Sequence, residues 1–487
     1  MWPFKAKSVS PTPARRPVNV RMKSYAAASV GRLTADWSRP ESTADMEISA
    51  ALRMLRNSAR DMERNNDYAR RYFHLLTTNV LGHKGVGLQV RAKGGDGKPD
   101  KFANDLIESK WKEWGNLGCT VCNRYTWLDI QHLVLRAVAR DGEVLLFFPE
   151  SWKENDAGFA MQVIEADYLD LGYNAEMANG NTIRMGVEFN KYKRPVFYHV
   201  LTKHPAEYGY RTIGETRLKL PAEQVIHLRR PERIDETRSP PWIVAGLAKL
   251  KQMDAAEEAE VVAWRVAASK MGFYIPGDDS EYEGEDETED GEPISEAEPG
   301  VFEKLKKGWS FTEWNPDKPS STVESFEKAM LRGVASGWNV SYVSLGNNLE
   351  GVSFSSIRQG ELLDRAHWRV LQTWFIEHLC APVFNMWLKK VLTTGFVNLP
   401  PGKFDKFNSP VWRPRGWEWV NPLQETNAAK EDVANGFKSL EGVASERGED
   451  LEEIFASNQN AKILAEKYGI TLPVFEPKQV KPNGTNN

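Results

Sequence analysis

SSIRQGELLDRAHWRVLQTWFIEHLCAPVFNMWLKKV, residues 355–391, is the longest helical signal in this chain of 487 residues. Leu363, Val370, Trp374, Leu379, Val383 and Trp387 recur at the three-to-four spacing of one helix face, so this stripe is expected to face a core. At about 1.5 Å per residue the segment makes a rod of roughly 55 Å. Pro382 lies inside it, lacks an N–H, and clashes with the carbonyl four residues back. A kink about one turn earlier follows.

Upstream, helical periodicity starts at Ala44 with Ile48, Leu52 and Leu55 and resumes from Asp67 with Tyr68, Tyr72, Leu75 and Leu76. Asn65 and Asn66 separate the two runs, with Asp67 as the expected N-cap. In LGHKGVGLQV, Gly82, Gly85 and Gly87 permit a tight turn from helix into strand. A dinucleotide fingerprint has the opposite order, strand before the glycines and helix after them. A helix carrying Trp127, Ile130, Leu133, Val134 and Val138 then leads into EVLLFFPE, FAMQVIEADYLDL, TIRMGVEFN, RPVFYHVLT and RLKLPAEQVIHL. These are short, rich in β-branched or aromatic residues and separated by turn residues, which predicts a small antiparallel β region.

At Ser239 the pattern returns to a long helix, with Ser239 as cap, two prolines in the first turn and Gly272 at the end. Residues 242–270 carry Ala245, Ala248, Ala255, Ala256, Ala259, Ala263, Ala267 and Ala268. That surface admits close approach of a neighbouring helix, and it equally suits a plain helix of high propensity. A further helix is expected around Phe326 to Ala335, and YVSLGNNLEGVSF reads as an ordered but irregular loop. PGVFEKLKKGWSFTEWNPDKP reads as short strands punctuated by proline, and past Trp412 a proline-rich connection leads to a polar helical tail. The fold class is therefore α+β and mainly helical.

Hydrophobic residues at 41% and charged residues at 27% match ordinary folded usage and argue against wholesale disorder. No stretch approaches the roughly 20 apolar residues of a membrane span, and no apolar signal core opens the chain. A soluble protein that is not secreted is expected. Cys119, Cys122 and Cys380 form no disulfide framework, and the Cys119/Cys122 spacing is half a zinc site without a second pair of ligands.

The net charge of −4 is unevenly spread: residues 1–40 hold eight Lys or Arg against one acid, and residues 278–298 hold twelve acids and no base. The first segment, MWPFKAKSVSPTPARRPVNV with its four prolines, reads as an extended arm or a solubilising tail. The second, including Asp278, Asp279, Glu285, Asp286, Glu289 and Asp290, is too hydrophilic for a core and is expected to be a solvated loop. Removing it should cost little stability. A basic footprint confined to one end does not describe tight, static DNA binding.

Enzymatic motifs are missing. The Gly-Lys pairs Gly97-Lys98 and Gly402-Lys403 lack the upstream glycine of a phosphate loop and are followed by Pro99 and Phe404. The sequence has no H-E-x-x-H and no G-x-S-x-G, and His199 and His204 have a spacing that suits neither a helix face nor one strand face. Ser325 and Lys328 give an S-x-x-K spacing without its companion elements. Asp141 and Glu143 are accounted for by a D-G-E turn opening a strand. No catalytic residue, cofactor or metal site is expected.

Read in order, RDMERNNDYARRYFHLLTTNVLGHKGVGLQ (60–89), RDGEVLLFF, IEADYLD, GVEFNKYKRPVFYHV and VIHLRRPERIDETRSPPWIVAGLAKLKQMDAAEEAE (225–260) resemble the lambda-type portal family of long-tailed bacteriophages. SFSSIRQGELLDRAHWRVLQTWFIEHLCAPVFNMWL (353–388) and the W-x-W-V-N-P-L-Q-E run from Trp417 extend the likeness, which covers the chain from about Tyr25 to about Leu472. Its strength is the collinearity of the segments. The acidic stretch after Gly277 departs from the family pattern in length and charge.

The resemblance implies a non-enzymatic portal, a dodecameric ring at one capsid vertex, through which double-stranded DNA is packaged and ejected. It divides the chain into an arm (1–40), a wing (41–238), an outward stem helix (239–271) and a clip with the acidic loop (272–320). A returning stem helix (321–343), a tunnel loop (344–354), a long kinked wing helix with its connection (355–412) and a crown with the tail (413–487) follow. Asn347, Asn348 and Glu350, polar residues framed by two glycines, would line the narrowest part of the channel; an ordinary helix connector on the outer surface is the alternative. Implied partners are further copies of the chain, the terminase large subunit, major capsid and scaffold proteins, and head-completion or connector proteins, with no membrane. The implied location is the virion's portal vertex after assembly in the bacterial host cytoplasm. A ring of heterologous contacts needs two complementary surfaces per subunit, which the alanine-rich helix suits. A nuclease or another capsid-associated adaptor remains the alternative.

Overall fold

Capping, periodicity and two glycine-dependent approaches position most of the elements in the computed structural model, which describes residues 41–116, 118–207, 217–268, 272–275, 286–287, 293–294, 310–313, 320–350, 353–417 and 422–470. The chain divides into two units, one made of residues 1–57, 73–241 and 365–487, the other of 58–72 and 242–364. Helices α1 (Ala44–Asn65) and α2 (Asp67–Val80) realise the first two periodic runs, with Leu52, Ala59, Ala69, Phe73 and Leu76 buried. The cap between them is Asn66 rather than the expected Asp67, because the Asn66 side-chain oxygen accepts from the Ala69 N–H at 2.9 Å.

Gly82 and Gly85 take φ of 63° and 66°, turning the chain into strand β1 (Gly87–Val90). Helix α3 (Lys101–Asn116), to which the sequence reading assigned no element, comes next. Helix α4 (Trp127–Asp141) starts with a capping box between Thr126 and Asp129. Its expected stripe buries Trp127, Ile130, Val134 and Val138, but Leu133 is 45% exposed.

Gly142 closes α4 at φ 88°, and a Cβ there would sit 1.9 Å from the Ser239 carbonyl oxygen, so no other residue fits. Strands β2 (Glu143–Phe147), β3 (Gln162–Glu165), β4 (Ala175–Glu176), β5 (Thr182–Arg184), β6 (Val187–Phe189), β7 (Pro195–Leu201), β8 (Arg217–Pro221) and β9 (Val225–Arg229) complete the β region. They form two antiparallel sheets, ordered β3-β2-β9 and β4-β5-β6-β7-β8. The stretch TIRMGVEFN is two strands, because Met185 and Gly186 both adopt positive φ and make a two-residue hairpin turn. Leu145, Ile164, Leu169, Val187, Tyr198, Val200, Leu220 and Val225 form the core of these sheets.

Helix α5 (Val244–Ala268) begins later than the expected Ser239 cap. Ser239 is buried and its hydroxyl donates to Glu236. Short strands β10 (Gly272–Ile275), β11 (Asp286–Glu287), β12 (Pro293–Ile294) and β13 (Ser310–Glu313) follow, pairing β10 with β13 and β11 with β12, both antiparallel. Helix α6 (Ser320–Gly337) packs antiparallel on α5, with Ala245 beside Gly337 and Lys249 beside Gly333. At the root, a Cβ on Gly246 would fall 2.7 Å from the Trp338 Nε1, whose N–H donates to the Ile243 carbonyl at 3.0 Å. Leu247, Leu250 and Met253 are buried, as are Leu331, Val334 and Trp338, whereas Ala248, Ala255 and Ala259 stay exposed. The close approach therefore comes from glycine at the root, and the alanine stripe is left open.

Helix α7 (Tyr342–Gly346) occupies the first half of the segment expected to be irregular. Helix α8 (Phe354–Phe375) runs into a π-helical turn at Ile376–Cys380 and then α9 (Ala381–Thr394). Where a kink is expected, about one turn before Pro382, the helix carries this π-helical turn. Trp374, Leu379, Val383 and Trp387 are buried as expected, but Leu363 and Val370 are 64% and 56% exposed, and Trp368, Leu371 and Phe375 take the core positions of α8. Trp114, Trp127, Phe384 and Trp387 pack edge-on or tilted around Trp111, with centroids 4.8 to 5.7 Å from it.

Helix α10 (Phe404–Phe407) and strand β14 (Pro410–Arg413), which pairs with β1, lead to α11 (Pro422–Ala434), α12 (Leu440–Glu446) and α13 (Leu451–Tyr468). A largely buried ion pair, Arg413 to Asp450 at 2.9 Å, ties this tail to β14. This polar helical tail also exposes Leu423, Phe437, Phe455, Ile463 and Leu464.

Candidate functional site

Ser341 caps α7 by accepting from the Ser344 N–H at 3.2 Å, and Leu345 is buried beneath the helix. Asn347 ends it in the left-handed region, at φ 49°, one of the few conformations that reverse a chain in a single residue. The Asn348 side-chain oxygen accepts from the Glu350 N–H at 2.9 Å, a local turn that folds the tip back on itself. Asn347, Asn348 and Glu350 are thereby brought together on one tip, with Leu349 64% exposed beside them. Ser353 starts α8 by accepting from the Ser356 N–H.

Sequence reasoning missed the residue that anchors this loop. Asp364, 8% exposed on α8, accepts from the Ser341 N–H and from the hydroxyls of Ser341 and Ser344, each at 2.8 Å. Arg71 also donates to the Ser344 carbonyl at 3.3 Å. An aspartate amid the polar residues of a long helix carries no local sign of such a role.

The charge around the same unit is predominantly acidic. Burial, then Glu327, Asp254 and Asp67, raise the Glu257 carboxyl above its ordinary range. Burial followed by Glu257 and Glu327 raises the Tyr68 hydroxyl. Lys328, of the S-x-x-K spacing, is paired with Glu324, which lowers that carboxyl and raises the ammonium. Asp286 lies in β11 opposite Ile294, while Asp278, Asp279, Glu285, Glu289 and Asp290 lie outside the described residues, as does the arm of residues 1–40.

In the other unit, the D-G-E turn leads into a buried charge cluster. Glu143 is fully buried and pairs with Arg56 and Arg238, and His227 approaches it at 2.8 Å. Burial alone would raise its carboxyl, but Arg238, Arg56 and His227 together hold it well below the usual carboxylate range. Burial pushes the Arg238 guanidinium down to about 10 and lowers the His227 imidazole. Arg238 also donates to the carbonyls of Leu169, Met185 and Ala166, at 3.2, 2.9 and 2.9 Å, which joins both sheets to one side chain. A carboxylate committed to three buried partners is a structural tie rather than a reactive group.

Cys119 is buried with its thiol toward the Tyr125 carbonyl and its pKa pushed up to about 12 by burial, and Cys122 is exposed. Among the described residues no group of three or more His, Cys, Asp or Glu is arranged to hold a metal ion. His199 pairs with Glu188 at 3.1 Å and His204 lies 3.5 Å from Asp167, so the two histidines serve different partners. No described helix is long and apolar enough to cross a membrane.

Comparison with known proteins adds the identity. Residues 30–372 match the family described as phage portal protein, lambda family. The probable portal protein of Halomonas phage phiHAP-1 is 30% identical over 100% of this chain and 95% of its own length. Portal protein B of Escherichia phage lambda is 20% identical over 90% of this chain and 89% of its own. Among solved structures, a chain from the neck of an empty GTA particle is similar with a TM-score of 0.44 at 12% identity, covering 80% of this chain and 93% of that one. With the family match spanning both units and a relative collinear over the whole length, the chain belongs to the lambda family of phage portal proteins.

Proposed function

We propose that this protein assembles into a closed ring of about twelve copies at one capsid vertex, and that double-stranded DNA enters and leaves the capsid through its centre. The observation that carries this reading is the family match over residues 30–372, which takes in the β region, the α5/α6 pair, the α7 loop and most of α8. In the reading proposed here, α5 and α6 are the stem, β10 to β13 belong to the clip, and the tip formed by Asn347, Asn348 and Glu350 lines the bore. The exposure of Asn347 and Glu350, with Asn348 half-buried between them, supports the assignment. Amides contact phosphate weakly and the Glu350 carboxylate repels it, whereas each arginine would add salt-dependent affinity and hold the strand.

The ring acts without chemistry of its own. It is the docking site for the terminase large subunit during packaging, for capsid and scaffold proteins during assembly, and afterwards for head-completion proteins. Assembly takes place in the bacterial host cytoplasm. Native mass spectrometry of the purified chain, combined with assays of ATP turnover and DNA cleavage, tests the reading. A closed oligomer of about twelve subunits with neither activity is expected. A monomer that cleaves DNA with added metal ions would replace the portal with a nuclease.

A further inference from the structure

Helix α7 is five residues long, too short to persist on its own contacts. Its position is set from three sides of one unit: Asp364 on α8, the Arg71 side chain of α2, and the packing of Gly346 against α6, where a Cβ would lie 3.0 Å from Leu331. Of these, Asp364 alone grips two residues of α7's entry. Its Oδ1 takes the Ser341 N–H, and its Oδ2 is approached by both hydroxyls, which are themselves 2.7 Å apart. Each hydroxyl owns one proton, so two of these three oxygen contacts carry hydrogen at any moment. Asp364 lies about three turns along α8 from Phe354. The carboxylate therefore ties the segment before the loop to the helix after it.

We infer that Asp364 is the positioning residue of the channel loop: through Ser341 and Ser344 it pins α7 to α8, so that Asn347, Asn348 and Glu350 meet DNA from a fixed base. This rests on the reading that the tip faces the bore. Without the pin the same polar residues would still be present, but they would be spread over many positions, and a ring whose loops do not act in register loses its hold on DNA.

The test uses assembled rings and packaged particles carrying Asp364→Ala, Asp364→Asn or a deletion of residues 347–350. Asparagine keeps an acceptor for the Ser341 N–H and can donate to the hydroxyl oxygens, so it is expected to preserve the pin; alanine removes every contact. For Asp364→Ala we expect rings of unchanged size, about tenfold or faster hydrogen exchange in residues 341–346, and a several-fold drop in DNA retained per particle. Asp364→Asn should restore both. Unchanged exchange in Asp364→Ala would overturn the pin. Faster exchange with normal DNA retention, while the tip deletion loses DNA, would overturn the positioning role and leave the channel reading standing. Normal packaging and retention by the tip deletion would remove the channel reading itself. If Asp364→Ala fails to form rings, Ser344→Ala, which takes away one hydroxyl and leaves the cap, is expected to give a smaller change in the same direction, and no change in exchange there counts against the pin.

Discussion

Replacing Glu143 with glutamine removes one negative charge from a place that water does not reach. In the native structure Glu143 and Arg238 are both buried and paired, and Arg56 divides its guanidinium between Glu143, Asp167 at 3.4 Å and the Asp141 carbonyl at 2.8 Å. After the change Arg56 keeps Asp167, whereas Arg238 loses its directly paired carboxylate and keeps the carbonyls of Ala166, Leu169 and Met185 together with the more distant charge of Asp167. Stranding one member of a buried ion pair costs about 3–5 kcal/mol. The amide can still accept one hydrogen bond, which places the expected loss near the lower end, about 3 kcal/mol, or roughly a hundredfold in the opening equilibrium. Hydrogen exchange at the amides of β2 and β9 measures it, because those strands flank the cluster and report the opening of their own sheet. A loss below about 1 kcal/mol would refute the claim that the cluster ties the two sheets together.

Acid should weaken the same sheet. Glu143 has its folded pKa lowered from 4.5 and His227 from 6.5, so in both cases the unfolded chain binds the proton first. The stability they contribute is therefore complete above the ordinary histidine value. It falls as pH drops through about 6.5 and again below about 4.5; exchange protection in β2 that is flat between pH 7 and 4 would contradict this. Trp387→Ala, a fully buried member of the cluster around Trp111, should cost about 3–5 kcal/mol in denaturant unfolding, and a loss under about 1 kcal/mol would mean that the cluster does not pack as described. Gly246→Val should separate the root of α5 from α6 and lower ring yield, because its Cβ would collide with Trp338; unchanged assembly would show that the close approach is dispensable.

How much of this was legible in the sequence follows from the range of the interactions. Local signals succeeded: the periodicity of α1, α2 and α4, the short β-branched or aromatic segments that became strands, and the proline beside the turn between α8 and α9. Failures came where a distant partner or a competing neighbour decides. Asn66 and Asp67 are equally good caps by composition, and Asn66 is held in place by a bond to Asp254. Ser239 also reads as a cap by composition, but its hydroxyl is taken by Glu236 and the helix starts later. Leu363 and Val370 continue the helical stripe, yet the packed side of α8 is turned toward Asp364, Trp368 and Leu371, a rotation that periodicity alone leaves undecided. Helix α3 was missed because its buried face mixes Asn104 with Ala103, Ile107 and the tryptophans, diluting the apolar signal. Glu143 was noticed only as part of a D-G-E turn and Asp364 not at all, for the partners that define them lie 87 and 23 residues away.

The central claim, a ring with the α7 loop at its bore, is tested most directly by electron microscopy of the assembled full-length protein. The account predicts a closed ring of about twelve subunits in which Asn347, Asn348 and Glu350 of every copy stand at the narrowest point of the channel. A chain that forms no ring, or a ring that carries these residues on its outer rim, would contradict it.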